Sequence, residues 1–253
     1  MRISAKHKLL ISLLLIGISL LVWVVLLFNP GGIMTMEHCH VSASGPSEAS
    51  FEMLLEMNPV LDQLLGWGLM VVAMMLPKLI LPVQQLFATS LKRMRFITCM
   101  LFVLGYLATW MVVGLFMVLV ITLLNLWFPM SFMPALVVLL LGIVWQFSPW
   151  KQYFLNQGHD HRPLSAFGMA ALRDAFQYGF VHGVWCVGAG WALMLFPMLL
   201  PQGHNAAMLI VTFLMISEHL EQPRLVKWRF DLRLRLFRYL IAQTRVRLGG
   251  TAL

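Results

Sequence analysis

Charge is what this sequence has least of. Only 11% of its 253 residues are Asp, Glu, Lys or Arg, and ten of those are acidic, whereas soluble domains carry about a quarter. A water-facing globule of this length is thereby excluded. Cysteine is also scarce. There are three in the chain, and Cys99 and Cys186 fall inside apolar runs, which leaves Cys39 without a disulfide partner on its own side. No hydrolase serine motif, phosphate loop, HExxH pair or dinucleotide fingerprint occurs. The few carboxylates lie mostly in one polar loop or near helix ends. These absences remove the usual routes to catalysis, and the chain reads as a protein that is not an enzyme.

Hydrocarbon is abundant instead. Hydrophobic residues make up 60% of the chain and mean hydropathy is +0.83. A spanning helix needs about 20 mostly apolar residues. Six stretches approach that length: 9–28, 64–88, 96–124, 132–150, 175–200 and 206–221, the last short and interrupted by Glu218 and His219. The first follows "MRISAKHK" as a signal peptide would, yet it runs close to a full span and leads into "FNPGG", a turn rather than a cleavage site. It reads as a retained anchor.

The basic residues alternate with these stretches. Arg2, Lys6 and Lys8 precede the first, and Lys92, Arg93 and Arg95 separate the second from the third. Lys151 and Arg162 lie before the fifth, Arg173 at its start, and a dense basic tail follows the sixth. Segments 29–63, 125–131 and 201–205 hold no Lys or Arg. By the positive-inside rule both termini are cytoplasmic. The fold expected is all-α, a polytopic transmembrane helix bundle of about six spans in a bacterial inner membrane. Its parts are an N-terminal anchor (1–28), a periplasmic loop (29–63), a five-helix membrane core (64–221) and a basic amphipathic tail (222–253). The formal charge of +8 then reflects topology and attraction to anionic lipid headgroups, not nucleic-acid binding. In the tail, Arg224, Lys227, Asp231, Arg235, Arg238 and Arg245 share one helical stripe, with Val226, Phe230, Leu234, Phe237 and Ile241 on another. That pattern suits a helix at the membrane surface or one docked on a partner protein.

Two places hold ligand chemistry. The base-free loop presents Met34, Met36, His38, Cys39 and His40 within seven residues. Thioether and thiolate suit Cu(I), and imidazole serves copper and zinc alike; the alternative is a polar loop with incidental His and Met. In the fifth span, "FVHGVWCVGAGWALM", His182 and Cys186 stand at i and i+4 and share a helix face. The bland alternative is a histidine bonded to a carbonyl and a cysteine packed as a small apolar residue. Met194, roughly 18 Å further along the helix at about 1.5 Å per residue, can only be a second station. Gly179 and Gly183 form a GxxxG pair that lets a neighbouring helix approach, within or between subunits. Across from them the second span offers Met70, Met74 and Met75, which read either as packing or as further soft ligands. Pro77 loosens that helix and frees carbonyls.

Intramembrane charges need partners, since an isolated one costs roughly 2.5–3.5 kcal/mol on insertion scales. Lys78 and Glu218 fall about 15 and about 12 residues from the outer surface, comparable depths at about 1.5 Å per residue. An ion pair between them is the expectation, with Gln146 bonding either of them or His182; the alternative is that both snorkel to the interface.

The motifs "MVVAMMLP", "GYLATW", "QFSPWK" and "GFVHGVWCVGAGWALM" occur in the order and spacing of a bacterial family that this chain resembles from about residue 60 to 222. It is the family of predicted metal-binding integral membrane proteins, which includes the membrane partner encoded beside a bacterial tyrosinase and regarded as that enzyme's copper chaperone. The resemblance implies metal contact at His182 and Cys186 and copper as the ion. Two departures mark this chain as thiol-poor. Ala189 and Gly190 stand where the family has a cysteine pair, and Phe154 and "HDHRP" stand where further cysteines follow "SPWK". His159 and His161 can replace thiol ligands there or belong to a solvated loop.

Two function classes follow. In the first, Cu(I) gathered by the outer loop passes through a site between the second and fifth spans to a periplasmic copper enzyme. In the second, the bundle and tail scaffold a membrane complex or a homo-oligomer. A permease for a metal or other small solute is a weaker third, for the sequence announces no inverted repeat and no pair of broken helices.

Overall fold

The computed structural model describes residues 4–28, 51–52, 55–56, 58–128, 131–159, 165, 168–231, 237–239 and 241–244. Among the described residues every regular element is a helix. We number them α1 (Ala5–Phe28), α2 (Val60–Met75), α3 (Ile80–Thr89), α4 (Arg95–Trp127), α5 (Met133–Phe147), α6 (Pro149–Gln157), α7 (Gly168–Met198) and α8 (His204–His219). The expected loop ligands Met34, Met36, His38, Cys39 and His40 lie outside the described residues.

Helix α1 is apolar all round and buries one stripe, Leu15, Ser19, Val22, Trp23 and Leu26, against α2 and the turn that follows it. That turn explains why the second span is two helices. Pro77 has no N–H, so the α-helical ladder breaks and Leu76–Leu79 tightens into a 3-10 turn before α3 resumes. The carbonyl that residue 77 would have bonded, that of Ala73, accepts a hydrogen bond from Ser19 Oγ at 2.6 Å instead. One hydroxyl on α1 thus satisfies the orphan that a proline creates in the neighbouring span.

The long helices α4 and α7 form the centre. Gly105, Gly179 and Gly183 line their crossing. A Cβ at Gly179 would run into the Phe102 backbone, and one at Gly183 would come within 2.7 Å of Thr109 Cβ. Thr109 Oγ1 crosses the seam to donate to the Phe180 carbonyl at 2.9 Å. On α4's other side Trp67 of α2 stacks over Gly114 and donates its indole N–H to the Trp110 carbonyl at 3.0 Å.

Among the described residues four stretches are long and apolar enough to cross a bilayer: α1, α2–α3 taken together, α4 and α7. The fourth expected span departs from a straight helix. Ser148 ends α5 in an extended conformation, as a residue before proline must, and caps α6 by accepting the Lys151 N–H at 3.2 Å. The pair α5–α6 therefore bends by 69° and counts as a fifth crossing if the two are one span. The sixth, α8, has only 16 residues, roughly 24 Å against a hydrocarbon core of about 30 Å.

The tail also differs from its expectation. Residues 222–231 form no helix. Pro223 opposes a helix there, and Arg224 is tied to Glu221 at 2.5 Å and Asp231 at 2.7 Å. Asn156 of α6 clamps the Arg224 backbone at both its N–H and its carbonyl, while Phe230 packs on Phe147. Residues 237–239 and 241–244 are helical.

Ser19→Ala should cost about 1 kcal/mol or more, the worth of a buried hydrogen bond plus an unsatisfied carbonyl. In a Pro77→Ala background, where residue 77 can donate again, that penalty should largely vanish. Denaturation midpoints of the four proteins in detergent measure the coupling.

Candidate metal site

The close approach of α4 and α7 decides what surrounds His182 and Cys186. Both side chains turn inward, at 5% and 8% exposure, because they share the α7 face that carries Gly179 and Gly183. Phe102 and Tyr106, one turn apart on α4, meet them there. The imidazole of His182 lies 5.7 Å from the Phe102 ring, 6.0 Å from Tyr106 and 6.2 Å from Tyr178. Tyr106 also reaches the thiol, its hydroxyl 3.1 Å from Cys186 Sγ. One tyrosine therefore touches both expected ligands, which places them in a single aromatic-walled chamber.

Lys78 enters the same chamber from the 3-10 turn and donates from Nζ to Cys186 Sγ at 3.1 Å. The expected Lys78–Glu218 pair does not form. Glu218 is taken by Lys151, 2.8 Å from Nζ, and by the amide of Gln146; Lys151 also donates to Gln146 Oε1 at 2.5 Å. Equal depth fixed only height; Lys78 and Glu218 face different neighbours around the bundle axis. Lys151 reaches the buried carboxylate because the Ser148 corner folds α6 back over α7 and α8.

Two further histidines extend the chamber. The His219 ring stands edge-on to His182 at 6.2 Å and stacks on His159 at 5.7 Å. His159 Nδ1 is 2.8 Å from the Leu155 carbonyl. A carbonyl only accepts, so Nδ1 carries the proton and Nε2 keeps its lone pair when the ring is neutral. Imidazoles thus run in file from the end of α6 to the cysteine. No three His, Cys, Asp or Glu side chains converge tightly enough to hold one ion among the described residues.

The methionines divide by place. Met70, Met74, Met75 and Met194 are fully buried and belong to the same apolar cluster as Cys186, together with Met208 and Met215 of α8. Met215 lies against Gly190, where an added Cβ would stand 3.6 Å from its sulfur. A thioether therefore fills the space at one position where the resembled family has a thiol. The other position after "SPWK" is closed by aromatic packing. Phe154 lies on Gly188 and against Trp185 and Trp145, at 6.0 and 6.3 Å.

Lys78, Tyr106 and His219 escaped assignment to the site from sequence; of the two histidines offered there as substitute ligands, His159 joins the file and His161 lies outside the described residues. "GYLATW" holds the tyrosine, but only the glycine-lined seam shows that it reaches the sulfur.

A family described as PpoB2, copper chaperone, has a model that matches residues 64–229. The chain belongs to this copper chaperone family. No curated protein and no solved structure matches it. The PpoB2 match begins within α2 and ends in the non-helical tail, so every chamber residue lies inside it and α1 and the 34–40 loop lie outside. Copper handling accords with the donor set, for thiol, thioether and imidazole are the ligand types that suit this ion.

A double-mutant cycle tests the reassigned charges. Glu218→Gln should destabilise the protein by about 3–5 kcal/mol, the cost of stranding one member of a buried pair. The loss should be equally large in a Lys78→Met background and much smaller in a Lys151→Met background, as read from unfolding in detergent.

Proposed function

We propose that this protein binds Cu(I) at His182 and Cys186 and passes it, without catalysis, to an exported copper enzyme. The observation that carries this reading is the inward pairing of an imidazole and a thiol around Tyr106 in a chain of the copper chaperone family. Met70, Met74 and Met75 stand as neighbouring soft groups and Met194 as a second station nearer the outer surface. Exchange among a few such ligands lets an ion move without a deep trap. The loop bearing Met34, Met36, His38, Cys39 and His40 serves as the collector on the periplasmic side. In this reading α5–α6 and α8 complete six crossings in a bacterial inner membrane, with both termini in the cytoplasm. The alternating basic loops support that orientation.

A scaffold role is the second reading. The observation favouring it is that Cys186 already has two donors, Lys78 and Tyr106, as a purely structural sulfur would.

Purified protein titrated with Cu(I) separates the two. Wild type should take up at least one equivalent, and the His182→Ala, Cys186→Ser double variant should lose it while melting normally. Deleting residues 34–40 should slow loading and leave the core equivalent in place. Equal copper in wild type and double variant would transfer the site elsewhere, and a copper-free wild type would favour the scaffold.

A further inference from the structure

We propose that Lys78 competes with the cargo for the sulfur of Cys186: Cu(I) must displace its ammonium to bind there, and Lys78 so sets how loosely the cargo is held. This rests on the copper reading above and adds the residue that governs release.

Three observations converge on Lys78. It is buried, yet no carboxylate pairs with it among the described residues, since the buried Glu218 is engaged by Lys151. A charge kept inside an apolar bundle without an anion of its own marks function more often than architecture. Its Nζ is directed instead at Cys186 Sγ, 3.1 Å away, beside the Tyr106 hydroxyl at the same distance. Hydrogen-bond donor and soft metal seek the same sulfur electron pairs, so the two compete for one position.

The competition is between like charges. Cu(I) takes the place of the thiol proton, one monocation for another, so loading leaves the net charge of the site unchanged while it pushes the ammonium off the sulfur. The Cu–S bond forms as the N–H···S hydrogen bond breaks. No electron moves, because copper arrives and leaves as Cu(I), and a proton on the thiol is released as metal binds. Once displaced, the ammonium remains close enough to repel the ion, which weakens retention. When a stronger acceptor draws copper away, Lys78 returns to the sulfur and closes the site.

Its position in the chain permits this movement. Lys78 stands in the 3-10 turn between Pro77 and Pro82, where the α-helical ladder is interrupted. Such mid-helix turns are places where backbones yield. The lysine stem adds four rotatable carbons, so Nζ can withdraw without moving α2.

The test uses full-length protein in detergent, with Cu(I) itself and a chromogenic Cu(I) chelator as competitor. Lys78→Leu removes the ammonium and adds no ligand; Lys78→Gln is the second variant should the first fail to fold. Lys78→Leu should hold Cu(I) about tenfold tighter or more and release it correspondingly slower to the chelator. Lys78→Arg, which keeps the charge, should stay near wild type. The gain should disappear when Cys186→Ser is added. Unchanged or weaker affinity in Lys78→Leu overturns the proposal. A copper-independent arm measures the rate at which methylmercury cation reacts with Cys186 in a Cys39→Ser, Cys99→Ser background. Lys78→Leu should accelerate it several-fold, and an unchanged rate also overturns the proposal. Acceleration in a protein that binds no Cu(I) would sink the copper reading and leave Lys78 as the occupant of the sulfur.

Discussion

The contact between α4 and α7 is the constraint on which the rest depends. Helices that cross this closely rely on close backbone packing, which small residues at the seam permit. Gly105, Gly179 and Gly183 supply it here. Because those glycines share a face with His182 and Cys186, the helix that approaches them must carry its own side chains onto the imidazole and the thiol. Packing and chemistry are therefore one arrangement. The residues that let the helices touch also decide that Phe102 and Tyr106 wall the chamber.

A second layer of constraint comes from proline. Pro77 interrupts α2–α3 and Pro149 turns α5 into α6, and each break is repaired by a hydroxyl: Ser19 on the Ala73 carbonyl, Ser148 on the Lys151 N–H. Both breaks have consequences at a distance. The first puts Lys78 on a tight turn facing the sulfur. The second swings Lys151 from the end of an expected span back into the bundle, where it neutralises Glu218. Straight helices would have placed neither ammonium where it is.

The sequence was legible where one-dimensional pattern suffices. Apolar runs marked the helices, the i, i+4 spacing placed His182 and Cys186 on one face, and Gly179 and Gly183 announced a close neighbour. It failed where azimuth mattered. Counting residues from the surface gave Lys78 and Glu218 similar depths, yet depth says nothing of the direction in which a side chain leaves its helix. The 69° corner at Ser148 was written in "FSPW", a serine before proline, but only the folded chain reveals that the bend carries Lys151 inward. The tail read as a helix through Arg224 to Asp231 by its stripes alone. Pro223 opposes a helix at its start, and Arg224 is paired with Glu221 and Asp231 and clamped by Asn156 of α6 instead.

The two buried lysines show how the same group serves opposite ends. Lys151 meets a carboxylate and an amide, hard oxygen acceptors that no soft metal ion would contest, and with them it joins α5, α6 and α8. Removing one partner strands the other in an apolar interior, so this pair behaves as a lock. Lys78 meets sulfur, the acceptor for which an ammonium is a poor match and Cu(I) a good one. A contact that a better partner can replace is a latch. On the function proposed above the two contacts divide the work: a frame that would not yield when the metal arrives, and one weak contact that would. The difference lies in the acceptor atoms, oxygen at one lysine and sulfur at the other.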